Sequence, residues 1–166
     1  MKLIVTLFAL ISFVSCQQSN INYTEVILED TIINSEFLQA INSPEKALLM
    51  ANLYAYGNEC VSSSTSAKCK ILKELGVENE CDEQHINFLK KWFKKVFLMK
   101  HKLQNCPNLP HTFAIQNSFD KIVMRRNSDT ISITIRVKGI NKSQEKSWDH
   151  EQTDTYLIKD ETLIKI

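Results

Sequence analysis

Four cysteines in the middle of this chain constrain its fold more than any other feature. They are Cys60, Cys69, Cys81 and Cys106, with spacings of 9, 12 and 25 residues. An even number of cysteines in an exported protein usually forms disulfides, and four cysteines allow three pairings. The spacings lack the close C-x-x-C pairs of zinc sites. We therefore predict two disulfides and no metal centre.

The segment between the last two cysteines argues against one of these pairings. Residues 82–104 contain neither glycine nor proline and predict one continuous helix. At a rise of 1.5 Å per residue its ends would lie roughly 35 Å apart, whereas the Cα atoms of a disulfide lie within about 7 Å. Cys81 is therefore not expected to pair with Cys106. This leaves two sets of pairs open: Cys60–Cys81 with Cys69–Cys106, or Cys60–Cys106 with Cys69–Cys81.

An apolar stretch opens the chain. Lys2 provides a positive charge, and residues 3–14 are almost entirely apolar. A stretch of about a dozen residues is too short to span a bilayer, which needs roughly twenty. We therefore predict an export signal over residues 1–16.

The end of this signal is similar to a known processing motif. The string Phe13-Val14-Ser15-Cys16 resembles the lipobox of bacterial lipoproteins, in which the cysteine is acylated and becomes the first residue. The resemblance implies a lipid on Cys16 that anchors the protein in the bacterial envelope, at the outer membrane or in the periplasm. The polar residues after it favour a flexible tether, which we assign to residues 17–28.

A second processing route fits the same residues. Val14 and Cys16 are also suitable small residues for ordinary cleavage before Gln17, which would leave a secreted protein without lipid. Two N-glycosylation triplets, which begin at Asn22 and Asn141, are compatible with this route.

Charge and glycine content disfavour several classes of function. Removal of Lys2 with the signal lowers the number of Lys and Arg residues from 20 to 19, which equals the 19 Asp and Glu residues. A neutral chain disfavours nucleic acid as a partner, because phosphate binding needs a positive surplus. Only three glycines are present, and phosphate-binding loops and nucleophile elbows depend on glycine. We predict no cofactor.

The period of the apolar residues changes along the chain. Helical spacing predicts four helices, over 29–41, 43–56, 67–75 and 82–104. From residue 120 the period is two, and strands are predicted over 121–126, 130–138, 148–158 and 162–166. We predict a single α+β domain over 29–166, stapled by disulfides, in which about four helices within 29–106 pack on a four-stranded antiparallel meander within 120–166.

One face of the longest predicted helix is basic. An acidic partner protein or anionic lipid headgroups could bind such a face. A solvated surface above a buried apolar stripe is the simpler interpretation. The candidate binding residues on this face are Lys90, Lys91, Lys94, Lys95 and Lys102.

Residues 148–154 bring a histidine close to several carboxylates. On an extended strand His150 and Asp154 share one face, and Asp149 lies on the other. A histidine–carboxylate pair can act as a general base, which suggests a small secreted hydrolase as an alternative function. The same string is typical of a polar outer strand face, so we predict no catalytic residue.

Four aromatic residues form a third candidate. They could anchor a partner, although aromatic residues at helical spacing usually belong to a core. These residues are Tyr54, Tyr56, Phe88 and Trp92.

The resemblance to bacterial lipoproteins implies a binding role. We expect an exported, lipid-anchored envelope protein that binds a partner protein, as an inhibitor or an immunity protein does, rather than an enzyme. The hydrolase and a soluble secreted glycoprotein are the alternatives.

Overall fold

A six-stranded antiparallel sheet dominates the computed structural model, which describes residues 21–60, 64–93, 106 and 114–166. Within these ranges the strand order is β2-β1-β3-β4-β5-β6, and four helices accompany the sheet. The elements are β1 (Asn22–Glu29), β2 (Ile32–Ile33), α1 (Ser35–Ala40), α2 (Ser43–Ala55), α3 (Ala67–Glu74), α4 (Glu83–Trp92), β3 (Ile115–Asn127), β4 (Thr130–Asn141), β5 (Lys146–Lys159) and β6 (Thr162–Lys165).

The predicted architecture of four N-terminal helices on a four-stranded meander is wrong. Strand β1 spans residues that we assigned to the tether, and it pairs with β3. Ile27 and Leu28 near its end are fully buried. A turn at Asp30 and Thr31, both with positive φ, then leads into β2, where the sequence predicted a helix. The apolar residues of this region therefore belong to strands β1 and β2 of the sheet, and only the short helix α1 follows them.

The alternating pattern of β4 is confirmed. Ile131, Ile133, Ile135 and Val137 are all buried, and they belong to the same core cluster as helix α2. Every residue of α2 from Ala47 to Ala55 is buried as well, which is the expected state of a helix that is apolar around most of its circumference. The helices therefore cover one face of the sheet, which we call the inner face.

The disulfides are Cys60–Cys69 and Cys81–Cys106, with Cα separations of 5.6 and 5.8 Å. Our exclusion of Cys81–Cys106 is therefore wrong. It assumed a helix that continues to residue 104, whereas α4 ends at Trp92 with Phe93 as its C-cap. A helix of this length does not hold the two cysteines apart.

None of the helices in the described ranges is long and apolar enough to cross a membrane.

Candidate functional site: a cleft beside Trp148

A cleft of about 660 Å³ lies at one end of the sheet, between the segment that follows α2 and the ends of β3, β4 and β5. We call it the Trp148 cleft. Its volume falls within the range of small-molecule sites, roughly 300–1,000 Å³. The residues that define it are Asn58, Lys68, Asn117, Phe119, Gly139 and Trp148.

Three of these residues form one row across three strands. Asn117 on β3 pairs with Gly139 on β4, and Gly139 pairs with Trp148 on β5. The indole of Trp148 extends over Gly139 and donates from Nε1 to Oδ1 of Asn117 at 3.1 Å. A methyl group on Gly139 would overlap the indole at Cε2, Cζ2 and Nε1. The missing side chain at Gly139 therefore allows the ring to lie against the sheet.

Phe119 contributes an apolar surface to the cleft and is only 6% exposed. Gly57 approaches it so closely that a Cβ there would lie 3.0 Å from Cε2 of the phenyl ring. Gly57 also has a φ of +77°, a conformation that glycine adopts without strain. The next residue, Asn58, accepts a hydrogen bond from the N–H of Asn117 and donates to the carbonyl of Ile115 at 3.1 Å. These contacts attach the segment after α2 to the free edge of β3.

A buried ion pair includes another residue of the cleft lining, Lys68. Nζ of Lys68 lies 2.5 Å from Oε1 of Glu80, and both side chains are 3% exposed. Burial lowers the pKa of Lys68, while the negative charge of Glu80 opposes this shift. The other carboxylate oxygen of Glu80 accepts the N–H of Cys60 at 2.9 Å. Because Cys60 is bonded to Cys69, the ion pair and the disulfide hold the same segment.

Among the described residues that line the cleft, Glu59 and Asp149 are acidic and Lys68 and Lys138 are basic. The register places the side chains of Lys138 and Asp149 on the face of the sheet opposite Trp148, because side chains alternate along β4 and β5. On that face Lys138 pairs with Asp120 at 2.8 Å.

Asp149 is paired as well. Its carboxylate accepts two hydrogen bonds from the guanidinium of Arg136, at 2.8 and 2.5 Å. The hydrogen bond to Arg136 holds the pKa of Asp149 below its ordinary value. Lys68, Lys138 and Asp149 are therefore each compensated by a neighbouring side chain.

The predicted catalytic neighbourhood of His150 is organised differently. Asp149 is bound to Arg136, and Oδ1 of Asp154 lies 2.7 Å from Nζ of Lys165. Nε2 of His150 is 3.3 Å from Oε1 of Gln152. Both acids therefore form ion pairs with cations of neighbouring strands. The histidine is hydrogen-bonded to the side-chain amide of Gln152.

The predicted basic face is described only in part. Lys90 and Lys91 are exposed on α4, and Lys91 forms an ion pair of 2.9 Å with Glu161. Three further predicted binding residues and the predicted lipidation site fall outside the described residues. These are Lys94, Lys95, Lys102 and Cys16.

The aromatic candidates belong mainly to the core. Tyr54 is 1% exposed and Trp92 is 7% exposed, and Phe88 packs against the same cluster. Burial raises the pKa of Tyr54 to about 12. Tyr56 donates from its hydroxyl to Oε1 of Gln152 at 3.2 Å.

Asn117, Gly139 and the role of Trp148 were not predicted from the sequence. The clue in the sequence was Gly139, one of only three glycines, which follows the alternating segment 130–138 and precedes the strand that contains Trp148. Recognising it required the register between β4 and β5, because the register alone places Gly139 opposite Trp148.

No group of three or more metal-ligating side chains occurs in the part of the chain that the structure describes. No family model matches the chain, and comparisons with curated proteins and with solved structures give no significant match.

Proposed function

We propose that this chain is an exported binding protein that holds its partner molecule in the Trp148 cleft. The observation that carries the proposal is the fixed position of the indole, which is 38% exposed beside the cleft and hydrogen-bonded to a third strand. An aromatic ring held in place before binding loses little entropy when a partner packs on it. Exposed tryptophans of this kind dominate the energy of many interfaces.

The ion pairs of β5 favour binding over hydrolysis. A general base needs a carboxylate or imidazole that is free to take up a proton near the working pH. Asp149 has a lowered pKa because Arg136 stabilises its charged form. Asp154 forms an ion pair with Lys165. These contacts suit a structural role for both acids.

Export is supported by the two disulfides, which are compatible with an oxidising compartment. We further propose that Cys16 carries the lipid and that the protein acts in the bacterial envelope. A partner protein, bound as an inhibitor or immunity protein binds its target, would place a side chain or an attached group in the cleft. In this proposal the exposed Lys90 and Lys91 on α4 lie outside the surface that binds the partner.

Affinity capture from the native organism tests the proposal. A C-terminally tagged wild-type protein is compared with Trp148→Ala and with Lys90→Glu/Lys91→Glu. We expect a stoichiometric partner that Trp148→Ala loses and the double charge reversal retains. A partner lost only by the charge reversal would contradict the assignment of the cleft. The mass of the bait's N-terminal peptide, recorded in the same run, shows whether Cys16 is acylated or the chain begins at Gln17.

A further inference from the structure

The Trp148 cleft has features that together select one chemical class of ligand. We propose that it binds an uncharged saccharide, one or two rings in size, with an apolar ring face on the indole of Trp148. The inference rests on the proposed function, since it names the group that the cleft recognises.

Charge selects against anionic ligands. The register places the side chains of Lys138 and Asp149 on the face of the sheet opposite Trp148, so among the described residues that line the cleft the remaining charged ones are Glu59 and Lys68. Lys68 already has a partner of opposite charge, Glu80, at 2.5 Å. A phosphate or carboxylate entering the cleft would have to compete with Glu80 for Lys68 or be buried without a cation, which is costly. A neutral ligand avoids this cost.

The indole selects a ligand with a flat apolar face. One side of the ring lies against Gly139, so a ligand contacts the other side. The C–H groups on one face of a pyranose ring form such a surface, and burial of that surface is favourable. Phe119 extends the apolar surface within the same cleft.

A buried amide selects a ligand with polar edges. Asn117 uses Oδ1 for the indole, while its Nδ2 is buried and lacks an acceptor in the described ranges. A wholly apolar ligand would leave this amide unpaired, which costs free energy. Ring hydroxyls, or an acetamido oxygen, supply both donors and acceptors.

Titration followed by ¹H–¹⁵N NMR tests this inference, because the chain has only two indole N–H groups. Trp92 is in the core and serves as an internal control. The probes are cellobiose, maltose, lactose and N,N′-diacetylchitobiose, each to millimolar concentration. Adenosine is the flat neutral comparison and sialyllactose is the acidic one.

We expect at least one neutral saccharide to shift the Trp148 indole signal saturably while that of Trp92 stays in place. Trp148→Ala should weaken this binding at least about tenfold, as measured on backbone amides, whereas Lys90→Glu/Lys91→Glu should leave it unchanged. Absence of a response to all four neutral saccharides overturns the inference. A stronger response to adenosine or to sialyllactose also overturns it.

Failure of the inference is distinguishable from failure of the proposed function. A captured partner that depends on Trp148, together with no response to saccharides, leaves the binding function standing and removes only the ligand class. Capture that is indifferent to Trp148→Ala removes the function assigned to the cleft.

Discussion

At the scale of single residues, Gly139 determines what the cleft presents. It lies between Asn117 and Trp148 in one row of the sheet, and its lack of a side chain lets the indole cross β4. The φ of Gly139 is not positive, so a larger residue there causes no backbone strain. Its only effect is the overlap of its side chain with the indole. A substitution at Gly139 can therefore displace the ring while β4 still forms.

We expect Gly139→Ala to displace the indole and to destabilise the protein by about 1 kcal/mol, the low end of the cost of added volume, because the overlapping ring is 38% exposed and can shift. The Trp148 indole N–H signal should shift as its bond to Asn117 is lost. In a Trp148→Ala background the same substitution should cost much less, because the overlapping ring is gone. Thermal unfolding of the four proteins of this cycle measures the coupling, and additive costs would contradict the assigned contact.

The ion pair between Asp149 and Arg136 predicts a pH effect. Because the folded-state pKa of Asp149 lies below its ordinary value, the pair stabilises the fold above that ordinary value, and the contribution is lost as pH falls through the folded-state pKa. The effect on stability is small, since both side chains are exposed. An NMR titration of the Asp149 carboxyl should give a lowered pKa that returns towards the ordinary value in Arg136→Gln. An unchanged pKa in that variant would refute the pairing.

At the scale of elements, the sequence predicted what alternation or helical spacing determines locally. The buried isoleucines of β4 follow a strict period of two, and their burial is confirmed. Helices α2 and α3 also lie where helical spacing placed them. Strand β1 was missed because Glu25 faces the inner side of the sheet and a register shift between Val26 and Leu28 interrupts the alternation. The length of α4 was overestimated because absence of glycine and proline does not by itself continue a helix.

The position of β1 predicts the effect of truncation. A chain that begins at residue 21 should unfold cooperatively like the full-length protein, since it keeps all described elements. A chain that begins at residue 29 lacks nearly all of β1, including the buried Ile27 and Leu28, and exposes the paired edge of β3. We expect it to lose cooperative thermal unfolding in circular dichroism. Equal stability of the two truncated chains would mean that residues 21–28 are a tether after all.

At the scale of the whole molecule, the two faces and the two ends of the sheet have different surroundings. The helices cover the inner face around Ile133 and Ile135, while the Trp148 cleft lies at one end of β3, β4 and β5. The opposite face is polar and includes hydrogen bonds between Ser132 and Thr155 at 2.9 Å and between Thr134 and Thr153 at 2.8 Å. Antiparallel sheets often have one solvated face of this kind. The sequence could not locate the cleft, because its described residues come from five separate segments that only the tertiary fold brings together.

The most direct test of the central claim is a hydrogen-exchange comparison of the free protein with its complex with the captured partner. The cleft account predicts slower amide exchange at residues 58–59, 116–119, 138–140 and 147–149, with exchange along α4 unchanged. Protection confined to α4 around Lys90 and Lys91, or to the polar face of the sheet, would contradict it.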